Sequence, residues 1–269
     1  MKDLSNTQMI QTEKNGVSIL QFRNLKKYEP EFFHGYTMKD LDFRKGETYL
    51  KNVEALQNAQ DVHGLWIKTK QTHSDHIAVI LEGEKVPQFL EDTDGVITNQ
   101  KNLLVLTSYA DCTPIVIYDP QKQVVANIHS GWRGTVQQIG LKALRKMQEV
   151  FDSQICDCEV TIGPNIQACC FEVGEEVKQF FEETFGDLPN WKEIVQEKEN
   201  EAGEKKYWID TSQINRTLFE KMGILPDKIT ESQICTKCHS NQLHSFRGDG
   251  TSSARSTMFT ILRERKEEK

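Results

Sequence analysis

"VVANIHSGWRGTV", residues 124–136, opens as a β-branched apolar run, halts at His129 and then passes through Gly131, Trp132, Arg133 and Gly134. The run reads as a strand fit for burial. A plain connection would follow it with turn residues and a surface charge. A titratable ligand and an arginine held between glycines point instead to the lip of an active site.

Outward from that stretch, the central third is rich in strands. "NLLVLTSYADCTPIVIYDP" is a pair of short apolar runs broken by a polar corner, and "TVQQIGLKALRKMQEVF" has helical spacing through Val136, Ile139, Leu144, Met147 and Phe151. Upstream, "MIQTE" and "VSILQF" flank Asn15-Gly16, a hairpin signal. "FFHGYTMKDLDFRKG" looks irregular, "ETYLKNVEALQNAQ" helical, and "GLWIKTKQTHSDHIAVI" a pair of strands. Downstream come a strand "CEVTIG", a loop "PNIQACCFEVG" and a helix "EEVKQFFEETF". Next are an exposed loop or hairpin "VQEKENEAGEKKYW" and a helix "DTSQINRTLFEKMGI" capped by Asp210, Thr211 or Ser212. The strand "ITESQIC", a polar loop, the run "TMFTIL" and a solvated tail close the chain. No repeat or linker divides it. The expected fold is α+β, a single domain over residues 1–269 with a mixed β-sheet covered by helices and its active site at strand-end loops.

Composition limits the function. The 269 residues include 37% hydrophobic and 27% charged side chains, the profile of a soluble globular protein. A net charge of −7 argues against a general nucleic-acid or anionic-membrane binder. Small anions remain admissible, since a local arginine cluster can override the global sign. With no signal-type or membrane-spanning stretch, a cytoplasmic location is expected. There, the seven cysteines would be reduced thiols serving as core, ligand or nucleophile.

Three polar corners end apolar strands: "TKQTHSDH" with His73, "SYADCTP" with Cys112 and "NIHSGWRG" with His129. They are too far apart in sequence for a zinc-finger clip, but suit three loops meeting at one sheet edge. Two imidazoles and a thiolate are borderline-soft ligands that suit zinc and leave a fourth position open. The bland alternatives are a surface histidine at 73 and a small buried hydrophobe at 112.

"DTDGVIT", "YADCTPIVIYD", "IHSGWRGT", "IGPNIQACCFEVG" and "ICTKC…SFRGDGTSSAR" together resemble the laccase-domain family, also called polyphenol-oxidase-like purine nucleoside phosphorylases, which includes proteins labelled peptidoglycan editing factors. The resemblance runs in order from about Leu65 to Leu262. It implies one zinc ion held by His73, Cys112 and His129, at the family's "Q-x-H", "D-C-x-P" and "H-x-G-W-R-G" motifs. It also implies phosphorolysis of purine nucleosides (adenosine, inosine, guanosine, methylthioadenosine) and deamination of adenosine. About residues 1–60 diverge: "FFHGYTMKDLDFRKGETYLKN" keeps something like the family's "HGF" element and lacks its Gly-Gly turn and Ser-Leu-Asn segment.

Both activities fit one metal site with different nucleophiles: water at the purine carbon bearing the amine, phosphate at the ribose anomeric carbon. Arg133, between glycines just before a predicted helix, is a candidate anion contact, as are Arg247 and Arg255 flanking "GDGTSS". Asp111 is a candidate orienting carboxylate and Glu172 a candidate general acid/base. Cys169 and Cys170 are expected to pack, and His76 to be exposed. "CTKCH" spells a haem-attachment signature, which needs export. A structural zinc on Cys235, Cys238, His239 and His244 is conceivable, but the family shares only the first cysteine of this set, so a second metal is not expected.

Three other readings compete. Cys112 as nucleophile with His129 as base would make a cysteine hydrolase or amidase, where editing of peptidoglycan precursors would sit. A copper polyphenol oxidase would need more histidines than seven scattered ones supply. A binding module with structural zinc would not need the open position.

Overall fold

Strands that the sequence marks as uniformly apolar turn out to be sandwiched. The computed structural model describes residues 3–44, 46–250 and 254–264. Its strands are β1 (Met9–Lys14), β2 (Val17–Phe22), β3 (Phe32–Thr37), β4 (Leu65–Thr69), β5 (Ile77–Ile80), β6 (Phe89–Leu90), β7 (Gly95–Thr98) and β8 (Leu103–Tyr109). They continue as β9 (Thr113–Asp119), β10 (Val124–Ser130), β11 (Glu159–Ile162), β12 (Glu172–Val173), β13 (Val195–Glu199), β14 (Lys205–Ile209), β15 (Ile229–Glu231) and β16 (Ser256–Leu262). The α-helices are α1 (Glu47–Gln60), α2 (Trp132–Val136), α3 (Ile139–Phe151), α4 (Glu175–Phe185), α5 (Trp191–Ile194), α6 (Thr211–Lys221) and α7 (Phe246–Asp249).

One sheet runs β1-β2-β3-β16-β8-β4-β6, a second β15-β11-β9-β10-β7-β5, and a small third β12-β14-β13. The first two face each other. Tyr36, Tyr109 and Met258 of the first meet Val116, Tyr118 and Val125 of the second. The outer face of the first sheet, through Leu104, Leu106, Phe259 and Ile261, packs on Tyr49, Val53 and Leu56 of α1. The outer face of the second, through Ile115, Ile117, Ala126 and Ile128, packs on α3 and α6. Helix, sheet, sheet and helix therefore stack in that order. Each large apolar side chain fully buried between layers contributes about 1.5–3 kcal/mol.

The α+β class stands, with the β content split between stacked sheets. Alternation along β10 then fixes what each residue sees. Ala126 and Ile128 point to the helices, while Val125, Asn127 and His129 point between the sheets. Asn127 satisfies its buried amide there, accepting from the Thr107 hydroxyl at 2.8 Å.

Two local readings need correction. "FFHGYT" is not irregular: it is β3, between β2 and β16 in the first sheet. Its strand character is masked by His34 and Gly35, and both have structural causes. The buried His34 Nε2 accepts the Phe22 N–H at 2.8 Å, and burial pushes the imidazole down to about 3. A Cβ at Gly35 would stand 2.6 Å from the Phe259 ring. The other correction is the helix after Gly131, which starts at Trp132 and breaks at Gln138 (φ 57°) into α2 and α3. Arg133 thus lies inside the first turn rather than ahead of it. Asn15 and Gly16 take positive φ in the β1–β2 turn, and Asp210 caps α6 by accepting the Gln213 N–H at 2.9 Å, both as read. The loop "PNIQACCFEVG" and the loop after "ITESQIC", by contrast, contain β12 and α7 respectively, and β15 covers only the first three residues of "ITESQIC". Of the expected solvated tail, residues 265–269 lie outside the described residues.

Candidate metal centre and its cavity

The three corners meet because two of them are crossings between the sheets. The chain leaves β4 in the first sheet and enters β5 in the second through residues 70–76, which carry His73. It crosses again from β8 to β9 through residues 110–112, which carry Cys112. His129 is the last inward-facing residue of β10, whose neighbour Ser130 pairs with Thr113 at the start of β9. All three arrive at the same open end of the interlayer space.

His73 Nε2 lies 3.7 Å from Cys112 Sγ, and the ligand atoms of His73, Cys112 and His129 all fall within 4.8 Å of one another. Ligands on a tetrahedral zinc ion at about 2.0–2.3 Å stand about 3.3–3.8 Å apart, so this donor set fits such an ion. Burial by itself would raise the Cys112 thiol, but the His129 and His73 imidazoles outweigh it and bring it down to about 6. Burial would push His129 down, yet the Cys112 thiolate and the Asp94 carboxylate lift it to about 9.

Asp94 has no role in the sequence reading and is the residue that organises this centre. Its fully buried carboxylate accepts from His129 Nδ1 at 2.7 Å, which leaves Nε2 as the ligand nitrogen. It also accepts the backbone N–H groups of Thr72 (3.0 Å), His73 (3.2 Å) and Ser74 (2.9 Å), and the Ser74 hydroxyl (2.8 Å). That convergence holds His73 at φ 62°, a left-handed conformation costly for a side-chain-bearing residue. These bonds hold the Asp94 carboxyl far below its usual range despite the opposing effect of burial. Gln71 fastens the same loop to β8: its amide donates to Ser108 O at 2.7 Å and accepts the Ser108 N–H at 2.9 Å.

Gly131 answers why a glycine follows the histidine strand. A Cβ there would lie 2.6 Å from His73 Cδ2 and 3.3 Å from Cys112 Sγ. The Gly131→Ala protein is expected to fold, since φ is −67°, and to bind zinc at least 10-fold more weakly because His73 is displaced. A chelator-competition titration reads this, and unchanged affinity would refute the packing argument.

Above the three ligands opens a cavity of about 800 Å³, within the ~300–1,000 Å³ range of small-molecule sites. Five cations line it, Arg44, Lys68, Lys70, Arg247 and Arg255, together with Phe43, Trp132, Phe171 and Phe246. This is a local reversal of the chain's net negative charge.

The other sequence candidates divide. Asp111 lines the cavity at φ 83° and ties loops together, accepting the Thr236 hydroxyl at 2.6 Å and the Arg247 backbone N–H at 2.7 Å. Arg247 donates from Nη1 to Glu172 O at 3.0 Å, and the Arg255 N–H donates to Asp42 at 3.0 Å. Residues 251–253 of the "GDGTSS" loop lie outside the described residues. Arg133 is exposed and stacked 4.3 Å over the Trp132 ring, outside the cavity lining. The Glu172 side chain also lies off the cavity, accepting from Asn200 Nδ2 at 3.4 Å. His76 is exposed, with Nδ1 2.9 Å from Asp92. Lys68, Lys70 and Arg44 were missed. No motif announces them, and only their meeting around one space gives them meaning.

The fold and site are therefore those of a two-sheet sandwich with a His-Cys-His group able to hold a metal ion at its open end, under a cation-lined cavity. The chain belongs to the family described as multi-copper polyphenol oxidoreductase laccase, which it matches over residues 34–263. It is 33% identical over 223 residues to a purine nucleoside phosphorylase of Clostridium acetobutylicum, covering 82% of this chain and 86% of that one. It is also 33% identical over 207 residues to adenosine deaminase RL5 of an unknown prokaryotic organism, covering 75% of this chain and 76% of that one. Among solved structures, YlmD from Geobacillus stearothermophilus shares the fold with a TM-score of 0.77 at 24% identity, covering 87% of this chain and 93% of that one.

Proposed function

We propose that this chain is a zinc-dependent purine nucleoside phosphorylase with adenosine deaminase activity, acting on adenosine, inosine, guanosine and methylthioadenosine. The observation that carries the reading is the juxtaposition of the His73–Cys112–His129 donor set with a cation-lined, aromatic-walled cavity. The names of the relatives support purine nucleosides as the substrate class and adenosine for the deamination. Bound zinc would supply Lewis acidity at the cavity floor. Phe43, Trp132, Phe171 and Phe246 offer apolar faces to a purine, and Arg247, Arg255 and Lys68 offer donors to phosphate. In phosphorolysis a phosphate oxygen bonds to the anomeric carbon, the glycosidic C–N bond breaks, and its electron pair leaves with the purine, which takes up a proton. Cationic charge around the cavity holds the anionic nucleophile beside the developing ribosyl cation. Asp111 acts as a positioning residue, fixing the backbone that carries Arg247. The working location is the cytoplasm, and no helix among the described residues is long and apolar enough to cross a membrane.

The test is incubation with adenosine and phosphate, watching for adenine, ribose 1-phosphate and inosine. No product from any purine nucleoside with zinc bound would end the proposal. Arg247→Ala is expected to raise KM for phosphate about 10- to 100-fold, the value of a lost charge-assisted hydrogen bond of about 1.5–3 kcal/mol, with zinc content unchanged. Arg133→Ala should leave KM near the parent's. A reversed order would move the phosphate to α2.

One observation favours a second reading. The Cys112 sulfur beside the His129 imidazole, with Asp94 behind the imidazole, is also the arrangement that a cysteine hydrolase acting on peptidoglycan precursors would use. Chelation separates the two, abolishing activity in a zinc enzyme and unmasking it in a thiol hydrolase. Copper, which the family description invokes, is separated from zinc by metal analysis of protein made without added copper.

A further inference from the structure

Cys169, Cys170, Cys235 and Cys238 form a second cluster of ligand atoms, all within 4.8 Å of one another. Cys169 Sγ lies 3.7 Å from both Cys170 and Cys238 Sγ, and Cys170 Sγ lies 3.5 Å from Cys238 Sγ. A tetrahedron of sulfurs about 2.3 Å from a zinc ion has edges of about 3.8 Å. No pair is at bonding distance, and all seven cysteines are free thiols. A thiol is a weak donor and a weak acceptor, so four of them turned on one another are poorly satisfied unless a cation replaces their protons. Packing does not account for the set, since Cys169 and Cys238 are exposed.

We propose that these four cysteines bind a structural zinc ion that joins the 163–173 loop to the 233–249 loop. The ligand set differs from the Cys235, Cys238, His239 and His244 set that the sequence brings to mind. Neither His239 nor His244 belongs to the group of ligand atoms, and Cys169 and Cys170 complete the four. The joined loops already touch: Asn165 and Cys235 form a bridge, and the Thr236 N–H donates to Asn165 O at 3.0 Å. Both carry cavity wall, Ile166 and Phe171 on one and Phe246 and Arg247 on the other. The ion would therefore hold the Arg247 side of the cavity in place. That last consequence rests on the phosphorylase reading, whereas the ion itself does not.

Metal analysis of protein from zinc-supplemented cells is expected to find two zinc ions per chain. Cys112→Ala should leave one, the C169S/C238S double variant should leave one, and the combination none. In zinc-loaded parent protein, iodoacetamide should label exposed Cys156 at once and Cys169 and Cys238 only after a chelator is added, a readout that survives if the double variant fails to fold. C169S/C238S should also raise KM for phosphate about 10-fold with the other zinc retained. One zinc per chain that the double variant keeps, iron in its place, a disulfide within the cluster, or labelling of Cys169 as fast as Cys156 would overturn the site. Two zinc ions with no nucleoside turnover would leave it standing and remove the phosphorylase reading.

Discussion

Cys112→Ala is expected to turn over purine nucleosides at no more than about one-thousandth of the parent rate, since losing a Lewis acid costs several kcal/mol of transition-state stabilisation and each 1.36 kcal/mol is tenfold. The loss should come with one fewer metal ion per chain and a melting temperature that is lower than the zinc-loaded parent's and no longer rises with added zinc, since the half-buried sulfur leaves little cavity and the lost stability is that of the ion. Cys112→His supplies the control. Three imidazoles also hold zinc with an open position, so this protein should recover metal and a measurable part of the rate. A nucleophilic thiol would give no recovery. Full activity in Cys112→Ala, measured as ribose 1-phosphate released from inosine and phosphate, would sink the metal-centre reading.

Asp94→Asn is expected to weaken zinc binding about 10- to 100-fold, the usual cost of losing a partner behind a ligating imidazole, and to destabilise the fold by about 3–5 kcal/mol, the usual cost of breaking a buried ion pair. The volume barely changes, but one oxygen becomes an NH2 donor. That donor faces the Thr72, His73 and Ser74 N–H groups or the His129 Nδ1–H, none of which can accept. His73 is then free to leave its left-handed conformation. Chelator competition and denaturant unfolding measure the two effects separately. Ser74→Ala, which removes only one hydroxyl, should move both far less. Parent-like affinity in Asp94→Asn would mean that the imidazole and the loop are held by other contacts.

Much of this centre was legible because its ligands sit at abrupt chemical transitions. His129 ends an apolar run, and Cys112 occupies a polar corner between two such runs. Asp94 was not legible, although it lies in "DTDGVIT". A carboxylate before a strand looks the same whether it faces water or five donors, and here the donors come from loop 72–74 and β10. The stacking of the sheets was hidden for a related reason. In β9, β10 and β16 every residue is buried, so no polar phase tells one face from the other. Cys169 and Cys170 read as packing residues because the cysteines they face, Cys235 and Cys238, are far away in sequence. Arg133 was favoured by its glycine neighbours. Those glycines instead serve close packing: a Cβ at Gly134 would press 3.3 Å from Ile139 Cγ2.

The passages bearing His73 and Cys112 each begin in one sheet and end in the other, with His129 between them on the second. An ion held by all three is therefore a rivet through the seam of the sandwich. Neither layer can retain it alone, so peeling the layers apart and surrendering the metal are one event. Excess zinc is then expected to raise the melting temperature by mass action, protecting the assembled sandwich from heat.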